Sequence, residues 1–166
     1  MDQSLQEDYV LFCSHKSADI GYLSNWYLCK FNEGGNEFTS VEKYMMYKKA
    51  ELMGDHTTAE RILKNNVPKT LKEFGRGVQN WDQKKWNKHK YEIVLQGCRQ
   101  KFIQNSDLAM KLLATDNAIL AEAAHYDKVW GIGLKADDPD AQDQAKWKGE
   151  NLLGKALMQI RDELRK

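Results

Sequence analysis

Cysteine is scarce. Cys13, Cys29 and Cys98 are three in 166 residues, widely spaced and odd in number, which argues against both a disulfide framework and a CxxC metal knuckle. Reduced thiols and no metal are the expectation. Long apolar runs are missing too: stretches such as Tyr9-Val10-Leu11-Phe12 fall far short of the roughly 20 residues that a bilayer crossing requires. No membrane partner is expected. The start of the chain, with Asp2, Glu7 and Asp8, lacks the cationic opening and apolar middle of a secretion signal, so a cytoplasmic location is expected. Neither charge sign is in excess, with 25 Lys and Arg against 24 Asp and Glu, which excludes nucleic-acid binding driven by net charge alone. Walker A, GxGxxG, HExxH, GxSxG and EF-hand patterns are all absent. Gly131-Ile132-Gly133 supplies only two of the three glycines of a nucleotide turn.

The length of 166 residues, 42% hydrophobic content and only two prolines describe one well-ordered domain spanning 1–166. Tyr9–Cys13 and Trp26–Phe31 are β-prone, and the turn-rich Asn32-Glu33-Gly34-Gly35-Asn36 that follows predicts a hairpin and an antiparallel start. Helices are predicted from Thr39-Ser40 to Met53, stopped by Gly54; from an Asp55 cap through Leu63; from Pro68 to a stop at Gly75 and Gly77; and from Asp82 to about Gln104. Ser106-Asp107 predicts a further helix to about Thr115, and Asn151–Leu164 an amphipathic closing one. Propensity leaves Ala118–Ala124 open between strand and helix. The fold class is therefore α+β, a helix-rich single domain with a few short, mainly antiparallel strands.

Three constellations carry chemistry. In Thr39-Ser40-Val41-Glu42-Lys43-Tyr44-Met45-Met46-Tyr47-Lys48-Lys49, residues seven apart are separated by about 700° of helical rotation, so Glu42 and Lys49 share a face about 10 Å apart with Met46 between them. A carboxylate and an amine converging on one cleft can stabilise a sugar cation or attack a sugar carbon. The plain alternative is that Glu42 completes a capping box with Thr39 and Lys49 is a solvated helix residue. In Asp127-Lys128-Val129-Trp130-Gly131-Ile132-Gly133-Leu134, the glycines allow close backbone approach to a ligand and the indole of Trp130 offers a wall; Asp127 reads as a base, a hydroxyl acceptor or a turn residue. Gly149-Glu150-Asn151 forms a helix entrance suited to phosphate, or a simple cap. Lys84-Lys85-Trp86-Asn87-Lys88-His89-Lys90 is a basic run around an aromatic, either a nucleic-acid contact or a solvated helix face.

In this order the motifs resemble the YbiA-like (NADAR) family across nearly the whole chain. The landmarks are Leu23-Ser24-Asn25-Trp26-Tyr27, the Thr39–Tyr44 segment leading to Lys49, Leu112-Leu113-Ala114-Thr115, Asp127 with Trp130–Gly133, and Asn151–Met158. The resemblance implies an N-glycosidase without a cofactor, cleaving a ribose C1′–N bond in a phosphorylated ribosyl or ADP-ribosyl substrate. Two substrate classes follow: riboflavin-pathway intermediates, and DNA or RNA carrying ADP-ribosylated guanine. A non-catalytic ADP-ribose or nucleotide-binding module is the alternative. The implied catalytic residues are Lys49, Glu42 and Asp127; the implied substrate-binding residues are Asn25, Trp26, Trp130, Gly131, Gly133 and Asn151, with Asn151 at a phosphate. Relatives often carry His at the place of Lys43 and Gln at those of Met46 and Lys48, which implies altered leaving-group recognition. Two mechanisms are compatible: carboxylate-assisted attack of water, and attack by Lys49 leading to a Schiff base, with Glu42 assisting.

Overall fold

The computed structural model describes residues 8–166; the reading of the N-terminus as lacking a secretion signal rests largely on residues 1–7, outside the described residues. Four short strands and six helices follow in the order β1 (Tyr9–Phe12), β2 (Phe31–Glu33), β3 (Asn36–Phe38), α1 (Val41–Leu52), α2 (His56–Leu63), α3 (Pro68–Arg76), α4 (Gln83–Gln104), α5 (Ser106–Leu113), β4 (Ile119–Glu122) and α6 (Leu152–Leu164). This is the α+β class, rich in helix.

The strands form two separate pairs. β2 and β3 make the expected antiparallel hairpin, turned by Gly34 and Gly35 at φ +59° and +84°, values only glycine adopts at little cost. The first strand does not join it. β1 pairs in parallel with β4, Tyr9 opposite Ile119 and Phe12 opposite Glu122, so the expected antiparallel start is corrected. A parallel partner requires a crossover connection, and here the hairpin and five helices intervene, out of reach of any local pattern. Trp26–Lys30 is irregular, and the strand begins only at Phe31.

Most helix ends fall where the punctuation put them. Asp55 and Asp82 accept hydrogen bonds from the third residue onward, Pro68 sits in the first turn of α3, and Gly54 turns at φ +74°. At α1 the cap is Ser40, whose hydroxyl accepts from the Lys43 amide, and not Thr39. Gly75 lies inside α3 rather than ending it, pressed against Met46.

α1 is the hub of the core: Val41, Tyr44, Met45, Met46 and Ala50 are buried under α2, α3 and α4. Phe31, Phe38 and Tyr44 pack ring on ring above it. α6 lies against α4 and β4 and ties the parallel strand pair to the helical block.

Candidate active site

One cavity of about 670 Å³ opens between the start of α1, α3, and the loops that follow β1 and β4. Of the residues singled out in the sequence, it gathers Asn25, Trp26, Glu42, Lys49, Asp127 and Trp130. Met46 also lines it, between Glu42 and Lys49, as the helical spacing required.

Glu42 is 4% exposed. With Ser40 as cap it occupies the second helical position, so the capping-box alternative fails on register, and its side chain turns to the cavity. Burial drives its carboxyl up to about 7, against the lowering pull of Lys72, Lys49 and the Trp26 side chain. Lys49 sits with its ammonium 5.0 Å from the Trp81 ring centre and 5.3 Å from that of Trp86. Burial lowers its pKa, Glu42 opposes that, and Arg76 and Lys72 add to the lowering. An amine less firmly protonated than usual therefore faces a carboxyl that is only half ionised near neutrality.

The Asn25–Trp26 wall is held from beneath. Lys101 on α4 is 1% exposed in the core, and its ammonium donates to the carbonyl oxygens of Tyr22 and Ser24, the residues leading into Asn25. A buried ammonium without such acceptors would cost several kcal/mol, roughly, and here the chain turn is shaped to supply them.

Asp127 is the turn residue among the readings left open for it. Its Oδ1 accepts from the amides of Val129 and Trp130, each at 2.9 Å, a turn that fixes Trp130 at the cavity edge while the residue itself lines the cavity. Gly131, Gly133 and Asn151 are not among the lining residues. Gly131 and Gly149 pack backbone to backbone: a Cβ on Gly149 would lie 2.3 Å from the Gly131 carbonyl oxygen. Asn151, at φ +53° and 1% exposed, spends its amide on β4, accepting from the Glu122 amide at 3.1 Å and donating to the Leu120 carbonyl at 3.0 Å. These three thus lie outside the cavity lining, and the side-chain oxygen and nitrogen of Asn151 each bond β4. Among the three departures from the family pattern, Lys43 bonds Leu63 and Asn66, and Lys48 pairs with Glu33 and Glu51. Of the three, only Met46 lines the cavity.

Sequence reasoning missed several lining residues. Lys72 and Arg76 project from α3 one helical turn apart, with Lys16 and His15 from the loop after β1. Glu122, the last residue of β4, also lines the cavity, and its Oε2 is fully shielded with no hydrogen-bond partner among the described residues. A lone acid in the run Ala118-Ile119-Leu120-Ala121-Glu122-Ala123-Ala124 is the one signal that pointed to it.

Residues 11–165 match the model of the NADAR domain. The chain belongs to the NADAR domain family. It is 41% identical over 164 residues to N-glycosidase R617 of Acanthamoeba polyphaga mimivirus, covering 95% of this chain and 96% of that one. It is 31% identical over 144 residues to the riboflavin biosynthesis protein VVA0006 of Vibrio vulnificus, covering 87% of this chain but 35% of that longer protein. The NMR structure of Escherichia coli YbiA superposes with a TM-score of 0.78 at 28% identity, over 98% of this chain and 90% of the other.

Proposed function

We propose that this NADAR domain is an N-glycosidase that hydrolyses the C1′–N bond of a phosphorylated ribosyl or ADP-ribosyl substrate. The observation that carries the reading is the opening of Glu42 and Lys49 into one cavity walled by Trp26 and Trp130, in a chain with relatives named N-glycosidases. A flat base lies against the indoles, and Lys72 and Arg76 answer the phosphate charge.

In the favoured route the neutral amine of Lys49 attacks C1′ while Glu42 takes the proton that the new ammonium must lose. The C1′–N electron pair leaves with the base nitrogen, the ribose ring opens to an iminium on Lys49, and water adds to C1′ to release the sugar and restore the amine. Borohydride added during turnover leaves a stable sugar adduct on Lys49. Base release without any adduct overturns the lysine route in favour of carboxylate-assisted water. Tight binding of ADP-ribose with no base release overturns the enzyme reading and leaves a binding module.

The choice between substrate classes has one structural handle. Lys84, Lys85 and Lys88 are exposed on the first turns of α4, and buried Trp86 between them lies under the Lys49 ammonium. A cationic face thus borders the Lys49 end of the cavity, where a polynucleotide carrying ADP-ribosylated guanine would run. Small riboflavin-pathway intermediates need no such face. Side-by-side base-release assays on the two classes, repeated with these lysines reversed to Glu, decide between them.

A further inference from the structure

The reaction needs a proton at a place the Lys49–Glu42 pair does not serve. As C1′–N breaks, the departing nitrogen gains an electron pair, and amines and guanine are poor leaving groups until protonated. Glu42 is occupied at that moment as the acceptor from Lys49. A second acid on the facing side of the cavity is required.

Glu122 has the properties of that acid. It ends β4 with its backbone pinned: its amide donates to Asn151 Oδ1 at 3.1 Å, and its carbonyl accepts from the Ile132 amide at 2.8 Å. The carboxyl is thereby carried on a fixed stub, yet Oε2 is shielded from water and has no hydrogen-bond partner among the described residues. A buried polar atom left without a partner costs about 1–3 kcal/mol, a cost that a carboxyl lessens by holding a proton, and Glu122 is at the same time one of the residues lining the cavity. The groups around it disfavour ionisation. Burial comes first, then the charges of Asp127 and Glu42, with Lys72 alone opposing, and the carboxyl titrates at about 8. Tyr126 from its own loop, Lys49 from α1, Arg76 from α3 and Cys13, His15 and Lys16 from the loop after β1 complete the charged and titratable lining.

We propose that Glu122 is the general acid of this site, delivering its proton to the leaving nitrogen as Lys49 displaces it. The assignment rests on the N-glycosidase reading above. In the first half-reaction the Lys49–C1′ bond forms, C1′–N breaks, the Glu122 proton passes to the leaving nitrogen, and Glu42 takes the proton of Lys49. In the second, water adds to C1′, Glu122 carboxylate accepts the water proton, and Glu42 returns its proton to the Lys49 nitrogen as that bond breaks. Both carboxyls end as they began.

The test uses a series of ribosyl-5-phosphate arylamines graded in the basicity of the departing amine, with wild type, Glu122→Gln and Glu122→Ala compared over a pH range. Wild-type turnover is expected to vary little along the series and to fall as pH rises through about 8, where the acid ionises. Glu122→Gln is expected to lose roughly 10²- to 10⁴-fold on the most basic amines and much less on the least basic, and to lose the alkaline limb of the pH profile. Formate is expected to restore part of the lost rate to Glu122→Ala, which a folding defect would not allow. A uniform loss along the series, an unchanged alkaline limb, or no effect of either variant overturns the assignment, while the wild-type adduct on Lys49 still stands. Absence of amine release and of adduct from the wild type overturns the N-glycosidase reading, and this assignment with it.

Discussion

Replacing Glu42 with Gln separates a catalytic base from a carboxylate that only serves the helix entrance by its charge, because the two roles move stability in opposite directions. Burial lifts the folded-state carboxyl from 4.5 to about 7. The folded protein therefore holds this proton over a range in which the unfolded chain has already lost it. Stability falls as pH rises from about 4.5 to about 7 and is level above that. At 1.36 kcal/mol per unit, the cost of keeping Glu42 reaches at most about 3 kcal/mol above neutrality. Gln is nearly isosteric and cannot ionise, so Glu42→Gln removes the cost at pH 8 and changes little near pH 4.5. For a domain of this size each kcal/mol moves Tm by about 2–4 °C, so thermal unfolding at pH 8 is expected to rise by up to roughly 6–12 °C. Base release by the same variant is expected to fall by roughly 10²-fold or more. A Tm that drops equally at both pH values, with activity kept, would refute the reasoning. It would show that Glu42 serves the amino end of α1 through its charge.

Other perturbations have distinct signatures. Lys49→Arg keeps the cation beside Trp81 and Trp86 but has no nucleophilic amine, so turnover and the borohydride adduct, followed by mass spectrometry, are both expected to vanish while Tm holds. Asn151→Ala strips two hydrogen bonds from β4 and a left-handed residue tolerated best as Asn or Gly; a loss of about 2–4 kcal/mol in denaturant unfolding is expected, with the phosphate dependence of KM unchanged. Lys101→Met removes the donor to the Tyr22 and Ser24 carbonyls, and the released Asn25–Trp26 wall is expected to raise KM more than it lowers kcat in steady-state assays.

Local chemistry accounts for what was legible in the sequence. Asp55, Pro68 and Asp82 fixed helix starts because a cap acts within one turn, and the Glu42–Lys49 face followed from helical period alone. The register of α1 was off by one, since Thr39 and Ser40 are both cap residues side by side, and Ser40, the better N-cap of the two, is the one used. The parallel β1–β4 pair was invisible, because its partners lie more than 100 residues apart and neither carries a mark of the other. Lys72 and Arg76 were missed for the same reason: each is ordinary in its own segment and becomes part of a site only when α3 is brought against α1, while Glu122 stood out only as a lone acid in an apolar run. The partners of Asn151 were hidden in the same way. A polar residue at a helix entrance suggests a ligand, but this one meets backbone that no local pattern announces.

The meeting of α3 with α1 depends on Gly75. A Cβ there would stand 2.0 Å from the Met46 sulfur, so the bare Cα lets α3 lie close on α1 with Met46 in its present place and Lys72 within electrostatic reach of Glu42. Gly75→Ala must displace something. Met46 is an unbranched thioether that repacks easily, and the open space beside it is the cavity it already lines. The side chain is therefore expected to swing inward rather than the helix outward. Alanine also favours helix over glycine by about 1 kcal/mol, so thermal stability is expected to hold while KM rises several-fold, and the double variant Gly75→Ala, Met46→Ala is expected to recover substrate binding. A large fall in Tm with KM unchanged would show that α3 moved instead. The cations would then have drawn back from Glu42, and the apparent pKa of the activity profile on its acidic side would rise above about 7, because Lys72 is the largest influence holding it down.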